Sequence, residues 1–393
     1  MKKICFVMPY HILENRGGGA EVQAWLLAKE LARRGFDVSY IAQSVEGKAG
    51  RVEKVDGVTI RWIRYAHYFE WANTQDYYRA LKKIYPDVVV QRMTSFVTGV
   101  LGLYCRQQKR WFVWICTDDE QPRRWHFLKN QIILNRNDKI NPIKALLFLF
   151  NAWVYDLSRQ YGMKQVACAF TQNGFQKKLL KKEFGLNSFL MTSGHEIPTK
   201  ITPAQPRLAN RIVSWVANLG RKKRPEKFIE LASRAQDLKL QFIMIGSKND
   251  ELYIQELFRG KPDNLNWLGR LSFDETLSWF DKATFFINTS LPHIEGFPNT
   301  FIHAWMHGVP VISFGVDPDG IIKKHNLGYV AQDVRDAIDY VKDLINNSSA
   351  YEEISRNVTR YAREKHSIAA MTDSFLNALR MNLRNEMAEL KLL

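Results

Sequence analysis

The nine residues Glu295-Gly-Phe-Pro-Asn-Thr-Phe-Ile-His303 combine an acid, two chain breakers and a histidine. Gly296 and Pro298 interrupt the chain ahead of the apolar run Val309–Phe314, where a strand would hand over to a helix. Pro298 suits the first helical position, whose N–H has no intrahelical partner. Free backbone N–H groups at such a start, together with the positive end of the helix dipole, bind phosphate. Glu295 at the rim cannot favour phosphate, but it can accept hydrogen bonds from hydroxyls. Phosphate on one side and hydroxyls on the other suit a nucleotide sugar.

Two further segments could hold a ligand. Arg16-Gly17-Gly18-Gly19-Ala20-Glu21 follows the first apolar run and opens an amphipathic stretch. Its glycines let the backbone approach a ligand closely, although the spacing is neither a dinucleotide fingerprint nor a Walker loop. A flexible loop needing positive φ is the alternative. Asn218-Leu-Gly-Arg-Lys-Lys-Arg-Pro225 sets four consecutive cations after a strand-like run. They repel one another unless they share an anion, and pyrophosphate fits the lysine point charge and the arginine fork. A solvated helix start is the alternative, though cations there oppose the dipole. Asp118-Asp119-Glu120 stands at a strand's carboxyl end, the edge where α/β proteins hold ligands, or forms a solvated acidic turn. The pair Asp317-Pro-Asp319 has a metal-ligand look. With cations available elsewhere we expect no metal, and Asp319 is expected to cap a helix.

The elements that must position these residues alternate. Lys3–Met8, Asp37–Ala42, Asp87–Gln91, Trp111–Thr117 and Gln165–Thr171 read as buried strands. A helix over Ala20–Arg34 carries the stripe Val22, Trp25, Leu26, Leu31 and Ala32, with Gly35 as its terminator. The proline-bearing stretch Ile197–Arg211 reads as the linker. The pattern restarts with strands over Ile212–Ala217, Gln241–Gly246, Leu265–Gly269, Thr284–Asn288 and Val309–Phe314. Helices are expected over Pro225–Ala235 and Asp274–Phe280, and from Val330 to the end. This is an α/β chain of two Rossmann-like domains with a cleft between them and a helical C-terminal tail.

Gly-Gly-Ala-Glu before a helix, the Asn218–Pro225 turn and Glu-Gly-Phe-Pro-Asn-Thr-Phe, in that order, resemble retaining glycosyltransferases of the GT4 type. These are the glycosyl transferases of group 1, with the GT-B fold. The resemblance spans nearly the whole chain. It implies an acceptor-binding domain over 1–200, a nucleotide-sugar-binding domain over 201–366, and a helix over 367–393 returning to the first domain. It implies that Gly17, Gly18 and Gly19 touch the donor phosphates and the acceptor region. Lys223 inherits the diphosphate. Asn218 occupies the place of the family's arginine, so Arg221 or Arg224 must supply that charge. Glu295 inherits a contact to the transferred sugar, and Phe297, Pro298, Asn299 and Thr300 form the donor cradle. His303 replaces the family's second acid and can make one hydrogen bond to ribose where a carboxylate chelates two hydroxyls. An acid after the Trp111–Thr117 strand, Asp118 or Asp119, is implied to contact sugar. The implied catalytic set is Glu295, Lys223 and Asp119, with no cofactor beyond the nucleotide-sugar substrate.

Bulk properties set the surroundings. A chain of 393 residues is too long for one core, and 46% hydrophobic with 24% charged residues is a globular balance. The net charge of +16 calls for an anionic partner. Cys5, Cys105, Cys116 and Cys168 lack paired spacing, and Cys5 and Cys116 read as core residues in a reducing compartment. The start has no signal-peptide core and no run approaches a membrane span, so a cytoplasmic protein is expected. Residues 122–153 mix six Lys and Arg with Trp125, Phe127, Trp153 and the run Ala145–Phe150. An anionic membrane surface suits that mixture, nucleic acid is the rival, and a buried helix with a basic loop is the third option. The run of six apolar residues favours the membrane, with the inner face of the cell membrane as its place. The expected reaction passes sugar to a glycan or lipid-linked acceptor in cell-surface polysaccharide or glycolipid synthesis. A phosphorylase or epimerase on the same fold, or a silent nucleotide-sugar-binding subunit, are the alternatives.

Overall fold

The computed structural model describes residues 3–14, 18–66, 69–137, 141–248, 251–292 and 295–390. It divides into two compact units, Met1–Gly194 with Ile368–Leu393, and His195–Ser367.

The first unit runs β1 (Lys3–Val7), α1 (Gly19–Arg33), β2 (Asp37–Ser44), β3 (Val52–Val55), β4 (Val58–Arg64), α2 (Thr74–Ile84) and β5 (Val88–Arg92). It continues through α3 (Val97–Gln108), β6 (Trp111–Ile115), α4 (His126–Asn137), α5 (Pro142–Met163), β7 (Cys168–Thr171), α6 (Gly174–Phe184) and β8 (Ser188–Leu190). Its eight strands lie in the order β3-β4-β2-β1-β5-β6-β7-β8. Among the described residues only β3 pairs antiparallel, in a hairpin with β4. Strand alternation splits the core between the two faces of the sheet. Ile4 and Phe6 face a cluster with Trp25, Leu27 and the C-terminal helix, whereas Cys5 and Val7 pack with Tyr77, Leu81 and Leu101. Gly35, at φ +87°, ends α1 by donating to Ala32 O at 3.0 Å.

The second unit runs α7 (Ala204–Asn210), β9 (Ile212–Val216), α8 (Pro225–Arg234), β10 (Gln241–Ile245), α9 (Glu251–Leu257), β11 (Leu265–Trp267) and α10 (Phe273–Lys282). It then runs β12 (Phe285–Asn288), α11 (Asn299–Met306), β13 (Val311–Ser313), α12 (Ile321–His325), β14 (Gly328–Val330), α13 (Val334–Asn346) and α14 (Ser348–His366). Its wholly parallel sheet has the order β11-β10-β9-β12-β13-β14. The last helix, α15 (Ile368–Leu390), packs in the first unit, where Phe375 meets Phe170 with ring centroids 5.4 Å apart.

Several expectations change. The stretch 197–211 is no linker, because it lies inside the second unit. The wholly buried Arg207 of α7 donates to Gly308 O at 2.5 Å and Ser355 Oγ at 3.0 Å, and also to Thr202 O. Strand β3 is mostly exposed and β8 and β14 are only three residues long, so these do not announce themselves, whereas the alternating run Val58, Ile60 and Trp62 of β4 is a strand signal that the sequence reading missed. Asp319 does not cap α12. It sits at φ +55°, and the Asp317 carboxylate accepts from Ile322 N at 2.8 Å instead. All four cysteines are buried and free.

Candidate functional site

The strand order of the second sheet reverses between β9 and β12, and loops leaving the carboxyl ends of two such strands flank a crevice. The cationic turn leaves β9 and the Glu295 segment leaves β12. Residues 72 apart in sequence thereby meet: the Lys223 ammonium forms an ion pair with the Glu295 carboxylate. Glu295 Oε1 also accepts from Ser290 Oγ at 2.5 Å. Lys223 and Glu295 are 29% and 18% exposed along their side chains, so the pair is open to solvent and a ligand can part it.

Buried polar groups hold the two loops against each other. Thr289 Oγ1 donates to Lys223 O at 2.5 Å and accepts from Trp215 Nε1 at 2.8 Å. Leu291 N donates to Lys222 O at 3.0 Å. Arg224, expected as an alternative phosphate ligand, is spent on this fastening. Its guanidinium donates to Thr289 O, Ser290 O and Phe314 O at 2.6, 3.0 and 2.8 Å. Burial pushes its pKa down, and every donor so used is turned from the ligand. Arg221 lies over the Tyr253 ring at 4.8 Å with its side chain exposed. Lys222 is exposed, and Asn218 accepts from Ser247 Oγ at 2.7 Å.

The helix after Glu295 begins one residue later than the proline suggests. Pro298 is the N-cap of α11, with ψ 118°, and Asn299 is the first helical residue. The earliest N–H groups of a helix have no intrahelical acceptor, so those of Asn299 and Thr300 stand where a phosphate can take them. Phe297 is buried and its ring packs at a tilt against His366, centroids 4.8 Å apart, so its backbone, not its ring, is available to a ligand. Asn299 Oδ1 lies 3.3 Å from His195 Nε2. One turn on, His303 is half-buried among His195, Phe273 and Phe280, with centroids 4.2, 5.4 and 5.9 Å away. Burial, with His195 and His307 nearby, holds it well below the ordinary histidine range. It is a neutral imidazole at physiological pH.

The first unit has its own reversal, between β1 and β5. The glycine loop leaves β1; Arg16 and Gly17 lie outside the described residues. Gly18 is the N-cap of α1 and donates its N–H to Glu21 Oε2 at 2.8 Å, while Gly19 begins the helix, exposed. Burial pushes the Glu21 carboxyl up. Asp119 is buried, accepting from Asn173 Nδ2 at 3.1 Å and Gln176 Nε2 at 3.0 Å, so it ties the start of α6 to the end of β6. The Asp118 carboxylate closes its own turn on Glu120 N and Gln121 N.

Sequence reasoning missed Thr289, Ser290, Trp215 and His195. Small hydroxyls after a strand and a lone histidine carry no spacing signal, so nothing local could have found them.

Known proteins place this arrangement. Residues 17–185 match the model described as Glycosyltransferase Family 4, and residues 210–347 match Glycosyl transferases group 1. Among solved structures, Anabaena HepE in complex with UDP-glucose superposes with a TM-score of 0.70 at 12% identity, covering 97% of this chain and 100% of that one. Sucrose-phosphate synthase of Thermosynechococcus elongatus gives 0.70 at 15% identity, covering 100% of both. The catalytic domain of Arabidopsis thaliana starch synthase IV, bound to ADP and acarbose, gives 0.68 at 12% identity over 98% of this chain and 99% of that one. At such identities the likeness is one of fold, and that fold is GT-B. Among curated proteins, no sequence matches this chain.

Proposed function

Because the chain belongs to the glycosyltransferases built from a Family 4 domain and a group 1 domain, we propose that it transfers a sugar from a nucleotide-sugar donor with retention of configuration. The acceptor is a glycan or lipid-linked glycan, at the inner face of the membrane, in synthesis of cell-surface polysaccharide or glycolipid. The observation that carries this reading is the meeting of Lys223 and Glu295 at the strand-order reversal, beside the start of α11.

In this reading the donor diphosphate draws Lys223 away from Glu295 and takes the N–H groups of Asn299 and Thr300. Both act where negative charge grows as the sugar bond breaks, so they favour the transition state over the ground state. The released Glu295 carboxylate accepts from sugar hydroxyls, steadied by Ser290. The departing phosphate takes the acceptor's proton, which leaves no base to be supplied by a side chain. Lysine and the helix start neutralise the diphosphate without a metal. His303, neutral and caged by aromatic rings, offers ribose at most one hydrogen bond. Asp119, buried under two amides, serves better to position the α6 start than to touch sugar.

Thermal shifts with UDP-, GDP-, ADP- and CMP-sugars identify the donor, since ligand at a hundred times its Kd adds about 2.7 kcal/mol to stability. HepE in complex with UDP-glucose makes the UDP-sugars the first to try. Transfer is then followed with the donor that binds. A Lys223→Ala protein that transfers as well as the parent would overturn the assignment. The second reading, a silent donor-binding subunit, is favoured by Asn218 and His303 in place of the family's residues. It predicts a donor-induced shift with no turnover on any acceptor.

A further inference from the structure

Helices α4 and α5 of the first unit form an antiparallel pair that buried charged groups lock at one end. At that end the wholly buried Asp156 carboxylate accepts from Phe127 N at 3.2 Å and Leu128 N at 2.8 Å, capping α4. The equally buried Arg159 donates to Arg123 O at 2.6 Å, and also to Gln121 O. Gly162 passes so close to α3 that a Cβ there would sit 2.1 Å from Thr98 O. These contacts hold the base of the pair rigidly on the domain.

Toward the other end the polar lock gives way to exposed apolar side chains. On α5, Ile143 is 79% exposed, Leu146 69% and Phe150 60%, falling to about two-fifths at Trp153 and Leu157. Their spacing, with Leu147, is that of one helical face. Ile132, Ile133 and Leu134 of α4 are exposed near the same end, where Asn135 Nδ2 reaches Ala145 O at 3.3 Å. An apolar helical face as exposed as that of α5 marks a docking surface. Between 122 and 153 the chain has six Lys and Arg against one Asp. Lys129 and Lys144 are exposed on the same two helices, although Lys129 also pairs with Glu120 at 3.5 Å. No helix among the described residues is long and apolar enough to cross a membrane.

We propose that the free end of α4–α5 lies in the interface of an anionic lipid bilayer, its apolar side chains below the headgroups, with Lys144 at that end and Lys129 nearer the base among the headgroups. Apolar anchors with cations alongside match that boundary, which offers hydrocarbon and negative charge together. A second copy of the chain offers less: a two-fold contact through this face brings two basic segments together and supplies no excess of negative charge. The inference rests on the lipid-linked part of the proposed function. Vesicle binding is read without donor or acceptor, so its failure is distinct from a failure of transfer.

The test is flotation of the full chain with vesicles of phosphatidylcholine alone and with about 30% phosphatidylglycerol. The parent is expected to bind the anionic vesicles at least about tenfold more tightly than the neutral ones. Leu146→Glu with Phe150→Glu should weaken that binding by at least about tenfold, since it removes buried apolar area and adds repulsion. Lys129→Glu with Lys144→Glu should abolish most of the preference for anionic lipid. Unchanged thermal melts show that both variants fold. The proposal fails if the parent floats with neither vesicle, or if Leu146→Glu with Phe150→Glu floats as the parent does. It fails equally if the parent ignores lipid and sediments as a dimer that these substitutions make monomeric.

Discussion

The ion pair between Lys223 and Glu295 makes the two halves of the donor site competitors before the donor arrives. A diphosphate must draw the lysine from its carboxylate, and that cost is part of every binding measurement. Both side chains are partly exposed, at 29% and 18%, so the pair is worth about 1 kcal/mol, above the median of surface pairs and far below a buried one. Glu295→Gln keeps an acceptor for Ser290 Oγ and removes the charge that holds Lys223. Inorganic pyrophosphate, which carries the anion without the base, is then expected to bind about fivefold more tightly, the equivalent of that 1 kcal/mol. Lys223→Ala deletes a charge-assisted contact worth about 1.5–3 kcal/mol, so pyrophosphate should bind roughly 10- to 150-fold more weakly. Removing any acid helps an anion a little through space, and a double-mutant cycle separates that effect from competition. In the Lys223→Ala background, Glu295→Gln should return little or no affinity. Titration calorimetry on the four proteins reads the coupling. An equal gain from Glu295→Gln with and without Lys223 would refute the competition, and a loss of pyrophosphate affinity on Glu295→Gln would refute the geometry itself. Sugar transfer should fall in Glu295→Gln even as pyrophosphate binding rises, because the carboxylate that orients the sugar is gone.

Three other outcomes follow from the same contacts. Thr289→Val strands the buried Trp215 Nε1 and one lone pair of Lys223 O; unfolding should cost roughly 2 kcal/mol less, a fall of about 4–8 °C in Tm by calorimetry, with transfer reduced further because the lysine loop loosens. Gly246 sits at φ +151°, where an added Cβ would lie 1.7 Å from Ala217 O; Gly246→Ala should destabilise by at least about 3 kcal/mol in denaturant titrations, through strain and overpacking beneath the β9 loop. His11, buried edge-on to Trp25 and Tyr40, has its pKa pushed down to about 4 by burial. The unfolded chain therefore takes up this proton first, and the stability His11 contributes is full above about 6.5 and lost as pH falls toward 4. Glu70, raised to about 7 by burial, titrates with the opposite sign in an overlapping range. The difference in unfolding free energy between the parent and His11→Gln isolates the histidine, and it should shrink by roughly 3 kcal/mol across that window; a flat difference would refute the burial argument.

Much of the scaffold was legible in the chain, because its signals are local. Strand runs such as Trp111–Ile115 and Ile212–Val216 are apolar on both faces, and they stop where Gly or polar residues begin. The amphipathic stretch after the glycine loop and the Gly35 stop describe α1 with little help. Strand β3 was not legible, since Val52–Val55 is mostly exposed and alternates weakly, whereas the alternating Val58, Ile60 and Trp62 of β4 are a local signal that the reading missed. The 197–211 segment misled because prolines look the same before a packed helix as in a linker. Only the carbonyls that Arg207 finds, at Gly308 and Thr202, separate the two cases.

At the site the division is sharper. Sequence alone determined that cations would follow β9 and that an acid with a helix start would follow β12, because charge and chain breaking belong to residue type. It could not determine which cation faces a ligand. Lys223, Arg224 and Arg221 are near neighbours with similar charge. The backbone turns at Arg224, φ +46°, send one side chain to Glu295, one into three carbonyls and one over Tyr253. Likewise residue type left open a solvated turn at Asp119 and a buried helix through Ala145–Phe150, and packing decided the reverse, with Asp119 inside and Leu146 and Phe150 exposed. Charge and periodicity are written residue by residue. Burial and pairing are properties of atoms brought together from distant parts of the chain, and only the parallel sheet, by setting β9 beside β12, decided those.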